Sequence, residues 1–328
     1  MSIYEDWQRT LWIGTWAGGL NRFDKEKNLF RHYQHDPANP HSISDNQIMS
    51  IYEDRQGMLW IGTFDGGLNR YDKEKNLFKR YQHDPHDPHS LGNNWVLAIY
   101  EDRFGVLWIG TVGGGLNRYD PATKTFTRFR VAKNNQILKI YEDHNGTLWI
   151  GTNGDGLQQF DREKEVFVIY GQDEFLAVSA IHEDKSGKLW LGTFERGLFL
   201  FDRDSGRFLN FGEKTGLINN WIWAILEDGR GNLWISTAKG ISRFDPLKKS
   251  FKNFTNSDGL LAPYRSGACK SQFTGEMYFG GRKGLTVFHP DSIIDNPYPP
   301  QIALTEIKLL NKPVKIGAGS PLKEATSI

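Results

Sequence analysis

The run Leu59-Trp60-Ile61-Gly62-Thr63-Phe64-Asp65-Gly66-Gly67-Leu68-Asn69-Arg70-Tyr71-Asp72 decides the fold. Its first five residues recur unchanged at Leu11 to Thr15, Leu107 to Thr111 and Leu148 to Thr152. Altered copies begin at Leu189 and Leu233, and an eroded seventh, Met277-Tyr278-Phe279-Gly280-Gly281, follows. Successive copies lie 48, 48, 41, 41, 44 and 44 residues apart. Periods of that size belong to propeller blades or helical solenoids, and the residues within one period separate the two. Around Leu59 the chain reads as four short strands, Ile48 to Tyr52, Leu59 to Thr63, Leu68 to Tyr71 and Leu77 to Tyr81. They are rich in β-branched and aromatic residues and are divided by polar or glycine turns. A helical repeat would need long apolar faces of period 3.6, which are absent from this run. The expected fold is therefore all-β, a seven-bladed β-propeller of four-stranded antiparallel blades.

Composition sets limits on function. The chain has 328 residues, 38% hydrophobic, and a net charge of +1, so no global field draws it to nucleic acid or to an anionic membrane. One tryptophan per repeat accounts for most of the 11 present, and the expected use is packing between blades. Cys269 is the single cysteine, which excludes an internal disulfide and a cysteine-based zinc or iron–sulfur site. No apolar stretch reaches the length of a membrane span, and no basic-then-apolar leader precedes the first strand.

Both ends are atypical. Met1 to Asp6 matches the end of a first strand, so the sequence reads as starting inside blade one and as cut from something longer. Blade seven runs through Leu285 to Phe288 without the Phe-x-x-Phe/Tyr strand of the six earlier copies, and is expected to be incomplete. Residues preceding Met1 are expected to supply the missing strand, because an open sheet edge is a liability that propellers cover. The Pro-rich stretch Asp295 to Pro300 marks a boundary. The expected domains are a propeller over 1–296 and, over 297–328, a linker with the truncated start of a β-sandwich.

The repeat Ile-Tyr-Glu-Asp-x-x-Gly-x-Leu-Trp-Ile-Gly-Thr-x-x-Gly-Gly-Leu-Asn-Arg-Tyr/Phe-Asp, with the linker His83 to Asn94, resembles the two-component regulator propeller repeat. That repeat occurs in the sensor regions of bacterial hybrid two-component regulators. Pro299 to Val314 resembles the opening of the Tyr-Tyr-Tyr β-sandwich that follows such propellers. The resemblance implies a non-catalytic, ligand-sensing or signal-relaying module in the periplasm or another extracytoplasmic space. Its implied ligand is a small molecule such as an oligosaccharide, and the full-length protein is implied to form a homodimer. Membrane contact and nucleic-acid binding are not expected of this stretch.

With strands alternating in direction, the linkers between blades and the turns between second and third strands share one face. The other turns share the opposite face and are stereotyped. On the linker face the two residues after each Leu-Trp-Ile-Gly-Thr copy change from Trp16-Ala17 to Phe64-Asp65, Val112-Gly113, Asn153-Gly154, Phe194-Glu195, Ala238-Lys239 and Arg282-Lys283. Variable loops on a rigid frame are where binding usually lives. The ligand-binding candidates are Trp16, Phe64, Asn94, Trp95, Phe194, Arg196, Asn220, Trp221, Trp223, Tyr264, Arg265 and Arg282, with Asn46 at the corresponding blade entry. Aromatic rings stack on sugars or apolar ligands, and Asn and Arg supply oriented donors. The alternative is that the bulky residues plug the ring or cover blade tops.

No catalytic, metal or cofactor constellation stands out. His83, His86 and His89 share one linker with Asp-Pro steps and read as a stiff spacer. The Glu-Asp pair from Glu5-Asp6 to Glu227-Asp228 recurs in six blades, as a folding device would, its side chains bonding turn amides. An enzyme alternative is a magnesium-dependent, streptogramin B lyase-like propeller. His182, which replaces the usual strand Tyr in blade five, is its nearest histidine, although packing in that aromatic slot is the expected role. A third alternative is a protein-interaction or dimerisation scaffold.

Overall fold

A computed structural model describes residues 2–25, 27–131, 133–171, 176–261, 264–294, 308–309 and 312–313. Six four-stranded antiparallel sheets and one three-stranded sheet follow one another, each a simple meander from inside to outside. The chain is a seven-bladed propeller. Blade two shows the pattern: Ile48–Glu53 is innermost, Leu59–Thr63 and Leu68–Asp72 follow, and Leu77–Tyr81 is the outer strand. The innermost strand of blade one, Ser2–Glu5, packs against that of blade seven, Tyr264–Lys270, and this contact closes the ring.

The repeated phrase is buried because it forms the centre of each blade. All five residues of Leu59–Thr63, Leu107–Thr111, Leu148–Thr152 and Leu189–Thr193 are buried. Trp60 lies 5.8 Å from Tyr81 of its own outer strand and 5.1 Å from Tyr119 of the next blade, so one indole joins two sheets. The glycine of the phrase is a spacing device. A Cβ on Gly62 would lie 2.6 Å from Val96 Cγ1 and 2.8 Å from Val96 O of the next blade, which no real contact tolerates.

The Glu-Asp pairs bond the turn amides and do more besides. Asp54 Oδ1 accepts from the amides of Gln56 (3.0 Å) and Met58 (2.9 Å), while Oδ2 accepts from Trp60 Nε1 at 2.7 Å. The same indole bond joins Asp6 to Trp12, Asp102 to Trp108, Asp143 to Trp149, Asp184 to Trp190 and Asp228 to Trp234. The glutamate reaches backwards to the preceding blade: Glu53 accepts from the amide of Trp7, Glu101 from Arg55, Glu142 from Arg103 and Glu183 from His144. The pairs of blades two to five therefore each fix one turn and staple two blades. Blade seven has Lys270 at this place, and its ammonium donates to the Glu227 carbonyl at 2.7 Å.

Blade seven ends with its third strand, Gly284–Phe288, and the next described residues form a 3₁₀ turn, Pro290–Ser292. No fourth strand of that sheet occurs among the described residues. The gap shows on its neighbour: Phe30 of blade one is 54% exposed, whereas the equivalent Phe78 and Phe126 are 4% and 3% exposed. Tyr33 of the preceding blade covers Phe78 at 5.7 Å, and Tyr81 covers Phe126 at 5.9 Å.

Two compact units divide the chain at Pro290 and Asp291. In the second, Lys308–Leu309 pairs with Lys312–Pro313 as a short hairpin. The rest of the expected Tyr-Tyr-Tyr sandwich segment falls outside the described residues.

Candidate functional site: the linker face and the central channel

Backbone bonds confirm which loops share a face. Turns after the second strands are tied to the linkers on either side, to the following one as in Ile48 N to Thr15 O (2.9 Å) and Gly67 N to Asn94 O (3.0 Å), and to the preceding one as in Phe64 N to Gln47 O (3.0 Å). The variable residues thus stand on a scaffold that repeats from blade to blade.

Six of the candidate aromatics fall into two groups. Trp16, Phe64 and Trp95 form a ladder over blades one to three, with ring centroids 5.5 and 4.3 Å apart. Phe194, Trp221 and Trp223 form a second group over blades five and six, Phe194 lying 5.1 Å from Trp221 and 4.8 Å from Trp223. Trp16 is 57% exposed, so the first ladder opens to solvent. The indole N–H groups of Trp95, Trp221 and Trp223 are buried without a hydrogen-bond partner among the described residues. Buried donors are nearly always satisfied, so three such indoles on one face are a departure that calls for acceptors.

Other candidates are placed differently. Asn94 Oδ1 accepts from the amide of His83 at 2.7 Å and Asn220 Oδ1 from that of Glu213 at 2.9 Å. Asn46 does the same for His35 at 2.8 Å, so these asparagines shape the linkers. Tyr264 is fully buried with its hydroxyl 2.8 Å from Thr286 Oγ1, and burial pushes its phenol up. It is a core residue of blade seven. Arg196 and Arg282 are exposed on the face, and the Arg265 side chain falls outside the described residues.

The linker histidines are held by backbone. His83 Nδ1 lies 2.7 Å from Leu91 O, and His35 Nδ1 lies 2.9 Å from Ile43 O in the preceding linker. Among the described residues no group of three or more His, Cys, Asp or Glu side chains is arranged to hold a metal. His182 packs in its aromatic slot near the opposite end of its strand, with Nε2 3.3 Å from Glu227 Oε2.

All seven innermost strands line a central channel of about 370 Å³. Near its far end Tyr4, Tyr52 and Tyr100 stand in a ladder with 6.1 Å steps. Burial pushes these phenols up, and it pushes the Cys269 thiol up to about 11. Trp223 lines the channel as well as the second aromatic group. Lys139, which the sequence reading did not single out, also lines it. A signal existed: Lys139 occupies a strand position held by serine or alanine in the other aligned blades.

Six complete blades and a three-stranded seventh define a seven-bladed β-propeller with one stereotyped face and one variable face. The two component regulator propeller model matches residues 42–65, 90–113, 132–154, 175–195 and 216–239, one segment in each of blades two to six. Five of the seven blades therefore carry a two component regulator propeller repeat. Histidine kinase P4 of Formosa agariphila is 33% identical over 106 residues, which make up 32% of this chain and 8% of that protein. A structure described as the extracellular domain of a hybrid two component system from B. thetaiotaomicron is 24% identical with a TM-score of 0.62. It covers 88% of this chain, and the chain spans 45% of it. Virginiamycin B lyase from Staphylococcus aureus is 15% identical with a TM-score of 0.68, over 87% of this chain and 92% of the lyase. At these identities the two structural likenesses establish the fold alone. The chain spans less than half the length of the sensor proteins it matches.

Proposed function

We propose that this propeller is a non-catalytic, ligand-sensing or signal-relaying module of a two-component regulatory protein, acting on the extracytoplasmic side. The proposed ligand is an oligosaccharide bound on the linker face. The observation that carries this reading is the pair of aromatic groups with three unsatisfied indole donors. Rings offer stacking surface to the apolar faces of a sugar, and N–H groups await its hydroxyl oxygens. The opposite face supports the same reading by contrast, because its carboxylates are engaged in turns and staples. The histidine kinase and hybrid two component relatives supply the signalling context. No helix among the described residues is long and apolar enough to cross a membrane, so a transmembrane relay would be supplied outside the propeller.

A thermal-shift screen of the chain against an oligosaccharide panel tests the proposal. One glycan class should raise the melting temperature, and alanine at Trp95 and Trp221 should abolish the rise. No shift across the panel would favour a protein-interaction scaffold. A homodimer of the full-length protein is a separate proposal, checked by sedimentation equilibrium of that protein.

A further inference from the structure

Among the described residues that line the central channel there is one basic side chain and no acid to balance it. Pairing with the second strand aligns the innermost strands, setting Ser2 opposite Gly14, Ser50 opposite Gly62, Ala98 opposite Gly110, Ala180 opposite Gly192 and Ala224 opposite Ser236. Lys139 stands at the same level opposite Gly151. A small residue at five of these six positions suits the crowded centre of the ring, so a lysine there is not a packing choice. Lys139 is exposed to the lumen of the channel, which admits water-sized molecules, and the surrounding walls hold its ammonium below the usual lysine range by desolvation. No hydrogen bond or ion pair is made by it among the described residues, and no Asp or Glu lines the channel. The tyrosines and the thiol that share the lining have raised pKa values and are neutral at neutral pH, so none supplies a counter-charge. A cation set in a channel wall without a protein partner is partly desolvated and open to a ligand anion.

We propose that the channel is a binding site for a small carboxylate, with Lys139 as its counter-ion and the unsatisfied indole N–H of Trp223 as a second donor on the wall. The one cation among the described lining residues matches a ligand charge of minus one, since a dianion would leave net charge against walls whose other described residues are neutral. The volume of about 370 Å³ lies at the lower end of the range of small-molecule sites, which favours a monomeric ligand such as a sugar acid over a chain. Trp223 joins the channel to the linker face, so an acidic sugar at the end of a bound glycan can engage both. The site itself does not depend on the linker-face proposal.

Calorimetric titrations compare glucuronate and acetate with the neutral glucose and acetamide, using wild type, Lys139→Met and Lys139→Gln. At least one of the two carboxylates should bind wild type and lose affinity roughly ten- to hundredfold in both variants. The neutral partners should show no dependence on Lys139. Ligand-free Lys139→Met should melt higher than wild type, because it removes an unpaired, partly desolvated charge. The proposal is overturned if neither carboxylate binds wild type at tens of millimolar, if the variants bind equally well, or if chloride displaces glucuronate at equal concentration. Binding of a neutral oligosaccharide that survives in Lys139→Met would leave the linker-face proposal standing while this one fails.

Discussion

Replacing Asp184 probes the device on which every complete blade depends. Its carboxylate is 8% exposed and accepts from the amides of Ser186 (2.9 Å) and Lys188 (3.0 Å), the Ser186 hydroxyl (2.6 Å) and Trp190 Nε1 (2.7 Å). Trp190 is 2% exposed, so water cannot readily replace the lost acceptor, whereas Ser186 and Lys188 are exposed and can be rehydrated. The indole bond to a charged acceptor therefore dominates, at about 1.5–3 kcal/mol, and the turn amides add roughly 1 kcal/mol. Asp184→Ala should destabilise by about 3 kcal/mol, or roughly 6 °C in melting temperature for a domain of this size. Asp184→Asn keeps one acceptor oxygen and should cost about half as much.

The pH dependence has a definite sign. Burial pushes the Asp184 carboxyl up, but the Ser186 and Trp190 bonds and the turn amides outweigh it and hold it below the ordinary value of 3.8; Asp228 behaves likewise through Asn232 and Trp234. A depressed folded-state pKa contributes stability above the unfolded value and loses it as pH falls through the folded one. The gap between wild type and Asp184→Ala should thus be full at neutral pH and close below about pH 3.8. Melting curves followed by tryptophan fluorescence from pH 7 to pH 2 measure both effects. A loss under about 0.5 kcal/mol for Ala, or a gap that widens in acid, would refute the reasoning.

Four further substitutions separate packing from exposure. Phe78→Ala should cost about 3–5 kcal/mol and Phe30→Ala under about 1 kcal/mol, as read by urea unfolding, because the former is 4% and the latter 54% exposed. Gly62→Ala should destabilise by about 3 kcal/mol or more in the same assay, since its Cβ would drive Val96 of the next blade outward. Trp16→Ala, at a residue 57% exposed, should leave the melting temperature within about 2 °C of wild type, so that any loss of glycan response in this variant reports binding.

The blades were legible because each builds its own sheet from a local pattern: glycine turns, alternating aromatics and one phrase that is buried wherever it occurs. The incomplete seventh blade was legible too, since the Phe-x-x-Phe/Tyr strand is missing after Phe288. Contacts between blades were not. The Asp54 bond to turn amides follows from its position four residues before Met58, but the indole partner depends on strand twist. The reach of Glu53 to Trp7 depends on how neighbouring sheets pack. The linker-face candidates divided on the same ground. Trp16, Phe64 and Trp95 meet only because three blades stand side by side, and Asn94 and Tyr264 turned inward to tasks that a single repeat does not display. Lys139 was visible as a residue and silent as a site, because its meaning lies in the small residues that face it across the ring.

Thermal shift against an oligosaccharide panel, run on wild type beside the Trp95→Ala/Trp221→Ala double variant, tests the sensing role most directly. The account predicts that one glycan class stabilises wild type and leaves the double variant unmoved. A panel that stabilises neither protein, or both equally, would contradict it.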